Sequence, residues 1–126
     1  MRQRIRSGYD YERDYGYSRA VRVGDLVFVS GTTARGAALA LDTEGQLRDI
    51  VATVGAALAE AGATPADVVR TVAYMRSMND ADALARVHRE AFGGAAPAST
   101  MVEVSALSPG EARIEIEVTA VVGSAE

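Results

Sequence analysis

Arg113-Ile114-Glu115-Ile116-Glu117-Val118-Thr119-Ala120-Val121-Val122 is the stretch whose reading decides the fold. Side chains alternate across a pleated strand, so Ile114, Ile116, Val118 and Ala120 share one face, and Glu115, Glu117 and Thr119 the other. The β-branched side must pack on a core. The acidic side has two readings: a solvated sheet face, or the wall of a cleft that a second subunit closes.

Upstream, Arg19 to Val23 and Leu26 to Ser30 are short runs rich in Val, Leu and Phe. Gly24-Asp25 between them is a two-residue hairpin signal, because glycine accepts the positive φ such a turn needs. Gly31 to Leu41, rich in Gly, Ala and Thr, reads as a loop. Thr43 opens a helix with Gln46 as its capping-box partner. Leu47, Ile50, Val51, Val54, Leu58 and Ala61 give that helix one apolar stripe, and Gly62 sits where a C-terminal glycine belongs. Thr64-Pro65-Ala66-Asp67 reads as a single capped turn. Val68 to Met75 follows as a strand that is largely apolar on both faces. Asn79 caps a second helix with the stripe Leu84, Val87, His88 and Ala91, Phe92 beside it, and Gly93-Gly94 ending it. Pro97 leads into a strand from Ser99 to Val104, and Ser108-Pro109-Gly110 marks a turn before the final strand. The predicted order is β-β-α-β-α-β-β over a single domain spanning 1–126: an α+β layout with two helices on one face of a mixed sheet.

That layout leaves a surplus. The strands Leu26-Val27-Phe28-Val29 and Val68-Val69 to Val72-Ala73 are apolar on both faces, yet two helices cover only one. An apolar patch of about 400 Å2 is worth roughly 10 kcal/mol on burial before association costs. The sequence therefore implies sheets packed together in a homo-oligomer, with Glu115 at or near a subunit boundary.

Composition narrows the chemistry. All thirteen basic residues are Arg, so lysine Schiff-base chemistry and a lysine-anchored pyridoxal cofactor are excluded. With no Cys there is no thiolate nucleophile, iron–sulfur cluster or zinc knuckle, and the single His88 cannot supply a two-histidine metal site. No metal or cofactor is expected. Carboxylates, hydroxyls, backbone groups, arginine and water remain. A net charge of −4 argues against a broad nucleic-acid surface, and Arg2, Arg4 and Arg6 read as a solvated tail. No apolar run approaches the ~20 residues needed to cross a bilayer, and the first residues lack a secretory signal's apolar stretch, so a cytoplasmic location is expected.

Gly16-Tyr17-Ser18, Gly24-Asp25-Leu26-Val27-Phe28-Val29-Ser30-Gly31, Ala61-Gly62-Ala63 with Asp67-Val68-Val69, Pro97-Ala98-Ser99-Thr100-Met101-Val102-Glu103-Val104 and Ile114-Glu115-Ile116-Glu117 occur in an order and spacing that resembles the Rid (reactive intermediate deaminase), or YjgF-like, family. The resemblance covers Gly16 to Val121. It implies a chorismate-mutase-like homotrimer with clefts between neighbouring subunits, and hydrolysis of reactive enamines and imines to keto compounds and ammonia without metal or cofactor. It also implies that Glu115 is the cleft glutamate that positions or activates water, that Tyr17 is the cleft tyrosine, and that the Ser30-Gly31 backbone approaches the ligand.

Departures from the family pattern are equally specific. Ser99 stands where the best-known deaminases carry an arginine that grips the substrate carboxylate, a charge-assisted contact that a hydroxyl does not replace. Met101 holds the family's cleft cysteine position, and a helix asparagine falls on Ala85. The chain thus resembles an arginine-less branch, with Ser99, Thr100 and Met101 as substrate-binding candidates for a ligand other than a standard α-imino acid. Arg19 and Arg35 read as surface residues, or else as the source of the missing positive charge. His88 reads as a half-buried packing residue. Tyr9, Tyr11 and Tyr15, interleaved with Arg13 and Arg19, read as a strand or arm packed on a neighbour rather than as a surface for stacking nucleobases. Two alternatives stand beside the deaminase: a non-catalytic trimer binding a small metabolite or protein partner in the same clefts, and a ribonuclease, which the acidic composition and lone His88 disfavour.

Overall fold

The computed structural model describes residues 1–125. Six strands, β1 (Arg2–Ile5), β2 (Ala20–Val23), β3 (Leu26–Thr32), β4 (Val68–Met75), β5 (Ala98–Glu103) and β6 (Ile114–Val121), form one sheet in the order β1-β2-β3-β6-β4-β5. Only β4 and β5 run parallel; the other neighbours are antiparallel. Helices α2 (Thr43–Glu60) and α3 (Ala81–Phe92) lie side by side on one face. From β2 onward this is the predicted order. The segment before it adds β1, where the sequence reading expected a solvated tail, and a short helix, α1 (Asp10–Tyr15), where it expected a strand or arm. Ile5 alone is apolar in β1, and α1 has no apolar stripe, so neither carried a periodic signal.

The core forms where the predicted stripes meet. Leu47, Ile50, Val54 and Leu58 of α2 and Leu84, Val87 and Phe92 of α3 pack on Val27, Val29, Ile114, Ile116, Val118 and Ala120. Gly24, with φ 58°, makes the two-residue β2–β3 turn. The cap assignments differ from expectation. Asp42, one residue earlier than predicted, caps α2 by accepting from the Gly45 amide at 2.9 Å. Gln46 turns inward instead. Its amide nitrogen donates to the carbonyls of Leu39, Leu41 and Glu111, and its oxygen accepts from the Arg113 amide at 2.8 Å. A buried side-chain amide is held by the backbone that needs it, and here it pins the entry to β6. Asn79 does not cap α3: Ser77 starts a tight turn over Met78–Asp80, and the α-helix begins only at Ala81.

On the face away from the helices, Leu26 and Phe28 are 43% and 48% exposed, and Val102 is exposed as well. Glu115, Glu117 and Thr119 share that face between β3 and β4.

Candidate active site

An irregularity in the sheet organises the site. Pairing between β3 and β6 runs in register to Val29–Val118 and resumes at Thr32–Ile116, so Ser30 and Gly31 bulge opposite Glu117. A bulge bends its strand and re-aims the side chains around it. The Glu115 side chain consequently lies against Gly31: a Cβ there would sit 2.8 Å from the carboxyl carbon and 3.0 Å from Oε2. Burial pushes the Glu115 carboxyl above its ordinary range, the Arg19 charge pulls it back, and Glu117 adds to the rise. The Glu117 carboxylate is already engaged, accepting from the Tyr74 hydroxyl and lying 3.8 Å from Arg70. The Glu115 carboxylate takes part in no hydrogen bond among the described residues.

Behind the bulge, Arg19 is buried to 1% exposure, which corrects the expectation of a surface residue. Its Nε donates to Glu12 at 3.2 Å, one Nη to the Gly31 carbonyl at 2.8 Å and Thr32 Oγ1 at 2.9 Å, and the other to the Tyr17 hydroxyl at 3.1 Å. A guanidinium taken out of water is tolerable only when it is well hydrogen-bonded, and these partners engage each of its nitrogens. Ser30 is tied down as well, its hydroxyl donating to the Ser18 carbonyl at 2.7 Å. Arg35 is half-buried, 3.5 Å from Glu12, and stacked 4.4 Å over the Tyr9 ring, so it too is no simple surface residue. Burial tends to raise the Glu12 carboxyl, but the Ser7 hydroxyl and amide together with Arg19 outweigh it and hold it below its ordinary range. Tyr9 packs on Tyr11 and lies against Arg35 and Arg19, and Tyr11 packs edge-on against Tyr15, all within the chain.

Glu115, Gly31, Ser30 and Tyr17 are therefore gathered around one guanidinium. Ser99, Thr100 and Met101 are not. They lie on β5, an edge strand separated from β6 by β4, about 10 Å away at ordinary strand spacing. Only Thr100 shares the face of Glu115. Ser99 is opposite Thr71 on the helix side, where Thr71 Oγ1 donates to Ser99 Oγ at 2.7 Å and lies 2.8 Å from His88 Nε2. His88 packs edge-on against Phe92, as its stripe predicts, and burial lowers its pKa. Met101 is 49% exposed. Sequence reasoning missed Glu12, Thr71 and Tyr74. Thr71 had a readable signal, a hydroxyl at a core-facing position of a strand; Glu12 had none.

The profile of the family described as Endoribonuclease L-PSP matches residues 12–122. The chain belongs to this family, that of the Rid/YjgF-like proteins. A member of the YjgF/YER057c/UK114 family from Mycobacterium tuberculosis is 43% identical, and its crystal structure superposes with a TM-score of 0.90 over 97% of this chain and all of that one. A RutC family protein of Pyrococcus abyssi is 36% identical, over 82% of this chain and 84% of its own length. A 2-iminobutanoate/2-iminopropanoate deaminase of Dermatophagoides farinae is 34% identical, over 80% of this chain and 81% of its own. The fold of this Rid/YjgF-like chain is the chorismate-mutase-like one. Its short helix α1 brings Glu12 to Arg19 and so belongs to the support of the bulge.

Proposed function

We propose that this Rid/YjgF-like chain hydrolyses a reactive imine or enamine to the keto compound and ammonia, in clefts formed between three copies of itself. The observation that carries the reading is a half-buried Glu115 with a raised pKa, set against the Gly31 backbone and free of competing hydrogen bonds. Raising a carboxyl's pKa makes its carboxylate a better proton acceptor, and the acid so formed can return the proton. Ionised Glu115 accepts a proton from water as the water oxygen bonds to the imine carbon. The resulting neutral acid returns that proton to nitrogen, giving a neutral carbinolamine. Glu115 then takes the carbinolamine's hydroxyl proton and passes it to nitrogen as the carbonyl forms, the carbon–nitrogen bond breaks and ammonia leaves. Tyr17 and the Gly31 backbone hold the ligand. Ser99, Thr100 and Met101 complete the cleft from a neighbouring copy, since within one copy they are a β-strand removed from Glu115. The exposed Leu26 and Phe28 support the self-association this requires.

Ammonia release from imines generated by an amine oxidase tests the reading. Turnover above buffer that falls at least a hundredfold in Glu115→Ala is expected; a Glu115→Ala variant as fast as the parent overturns it. One observation favours a second reading, a non-catalytic trimer that binds a small metabolite or protein partner in the same clefts: the Ser99 hydroxyl is held by Thr71 rather than offered freely. Saturable binding without product formation would select it.

A further inference from the structure

Beside Tyr17 lies a groove of about 520 Å3, a volume suited to a small molecule, lined by Arg4, Arg6, Arg13, Tyr9, Tyr17 and Glu12 among others. Its charges are unevenly matched. Arg13 is paired with Asp14 at 3.0 Å and Asp10 at 3.6 Å, and Glu12 is shared between Arg19 and Arg35. Arg4 and Arg6 form no ion pair among the described residues. In β1, Arg4 alternates with Ile5, which points into the core, so Arg4 stands on the same sheet face as Glu115. A chain of net charge −4 thus gathers two unmatched guanidiniums next to the candidate site. The neighbourhood is already crowded with positive charge: burial first, and the Arg19 charge second, depress the Arg35 pKa, and the Arg35 Nε is buried without a partner. An anion entering the groove relieves that field. No arginine can do this from β5, where Ser99 stands, and every nitrogen of the buried Arg19 is already engaged within the chain.

We infer that the groove is the subsite for an anionic group of the ligand, a carboxylate or phosphate, held by Arg4 and Arg6 several bonds away from the reacting carbon. The spacing follows from Arg19: the Tyr17 hydroxyl and the Gly31 carbonyl occupy two nitrogens of its one guanidinium. The groove wall at Tyr17 and the carboxylate at Gly31 therefore lie on two sides of a single planar group. A ligand that meets both carries its anion beyond the α position. This deepens the proposed function and rests on it in taking the Tyr17–Glu115 region as the ligand site.

Calorimetric titration of 4-oxopentanoate and 5-oxohexanoate, their uncharged amides, and 2-oxobutanoate into the assembled protein reads the inference without turnover. The two longer acids are expected to bind at least tenfold more tightly than their amides and than 2-oxobutanoate, with affinity falling as salt rises. Arg4→Ala/Arg6→Ala, on exposed positions, removes the advantage of the acids and leaves amide binding unchanged, whereas the exposed Arg89→Ala changes neither. Acids and amides binding alike, 2-oxobutanoate binding best, or a double variant binding acids as the parent does would each overturn it. So would salt-dependent binding of a short RNA oligonucleotide lost in the double variant with no oxo-acid binding. If no imine is turned over but the acids bind as expected, the catalytic reading fails and the subsite stands. Turnover confined to uncharged imines, with no acid binding, reverses that outcome.

Discussion

The Glu115 carboxyl group rests on the α-carbon of Gly31, close enough that a methyl group there would meet its carboxyl carbon at 2.8 Å. The contact joins β6 to the β3 bulge. It explains why glycine is needed where the backbone itself, outside the left-handed region, would accept any residue.

Gly31→Ala should therefore displace the carboxylate and little else. The colliding atoms are the far end of a flexible side chain, so rotation of Glu115 relieves the clash at a cost of about 1–2 kcal/mol. Imine hydrolysis should fall at least tenfold, because small misplacements of a reacting group are expensive. A crystal structure of the variant showing Glu115 unmoved would refute this account, as would unimpaired turnover.

Arg19→Met leaves Glu12 buried without its main cation and strips the donors from Tyr17 and Gly31. Breaking one partner of a buried pair costs about 3–5 kcal/mol, whereas Glu12→Gln/Arg19→Met should cost less than the sum of its single changes. Urea unfolding measures both. Since the Arg19 charge pulls the Glu115 pKa down, its removal should raise that pKa further, read by carboxyl carbon NMR. A Glu115 titration unaltered in Arg19→Met would show that the two groups are not coupled.

Glu115 and Glu12 make opposite contributions to stability against pH. Glu115 has a folded-state pKa above its ordinary 4.5, so the folded state holds its proton longer, and stability is lost as pH rises from 4.5 through the folded value. Glu12 has a lowered one, so its contribution is present above 4.5 and lost as pH falls through the folded value. Glu115→Gln should become steadily more stable than the parent as pH climbs through the Glu115 range, then hold a constant advantage. Unfolding curves measured at a series of pH values check the sign; a gap that narrows with rising pH would reverse it.

How much of this could be read from residues alone follows from the periods involved. The two faces of β6 are legible because a strand's period is two and Ile, Val and Glu alternate without interruption. The stripes of α2 and α3 are legible for the same reason at helical spacing. The surroundings of Arg19 are not, because its partners Glu12, Tyr17, Gly31 and Thr32 come from a turn and a bulge, which follow no fixed period. An arginine also looks solvated until a buried acid is placed beside it. Gln46 misled for a related reason: the S/T-x-x-E/Q pattern marks a helix start, but only the chain path shows that the backbone near Arg113 and Glu111 needs that amide more.

Self-association is the last expectation, and the clefts depend on it. Leu26 and Phe28 lie on the helix-free face of β3, outside the core packed beneath α2 and α3. Burying a side chain of that size is worth about 1.5–3 kcal/mol, repeated in every copy of a symmetric assembly. Leu26→Glu/Phe28→Glu should keep its far-ultraviolet circular dichroism, because neither residue belongs to the core, yet sediment as a 13.2 kDa monomer while the parent sediments at three times that mass. Hydrolysis should vanish with the assembly even though Glu115, Gly31 and Tyr17 stay together in each copy. A parent that is itself monomeric would leave Ser99, Thr100 and Met101 a strand away from Glu115, and the cleft as drawn could not form.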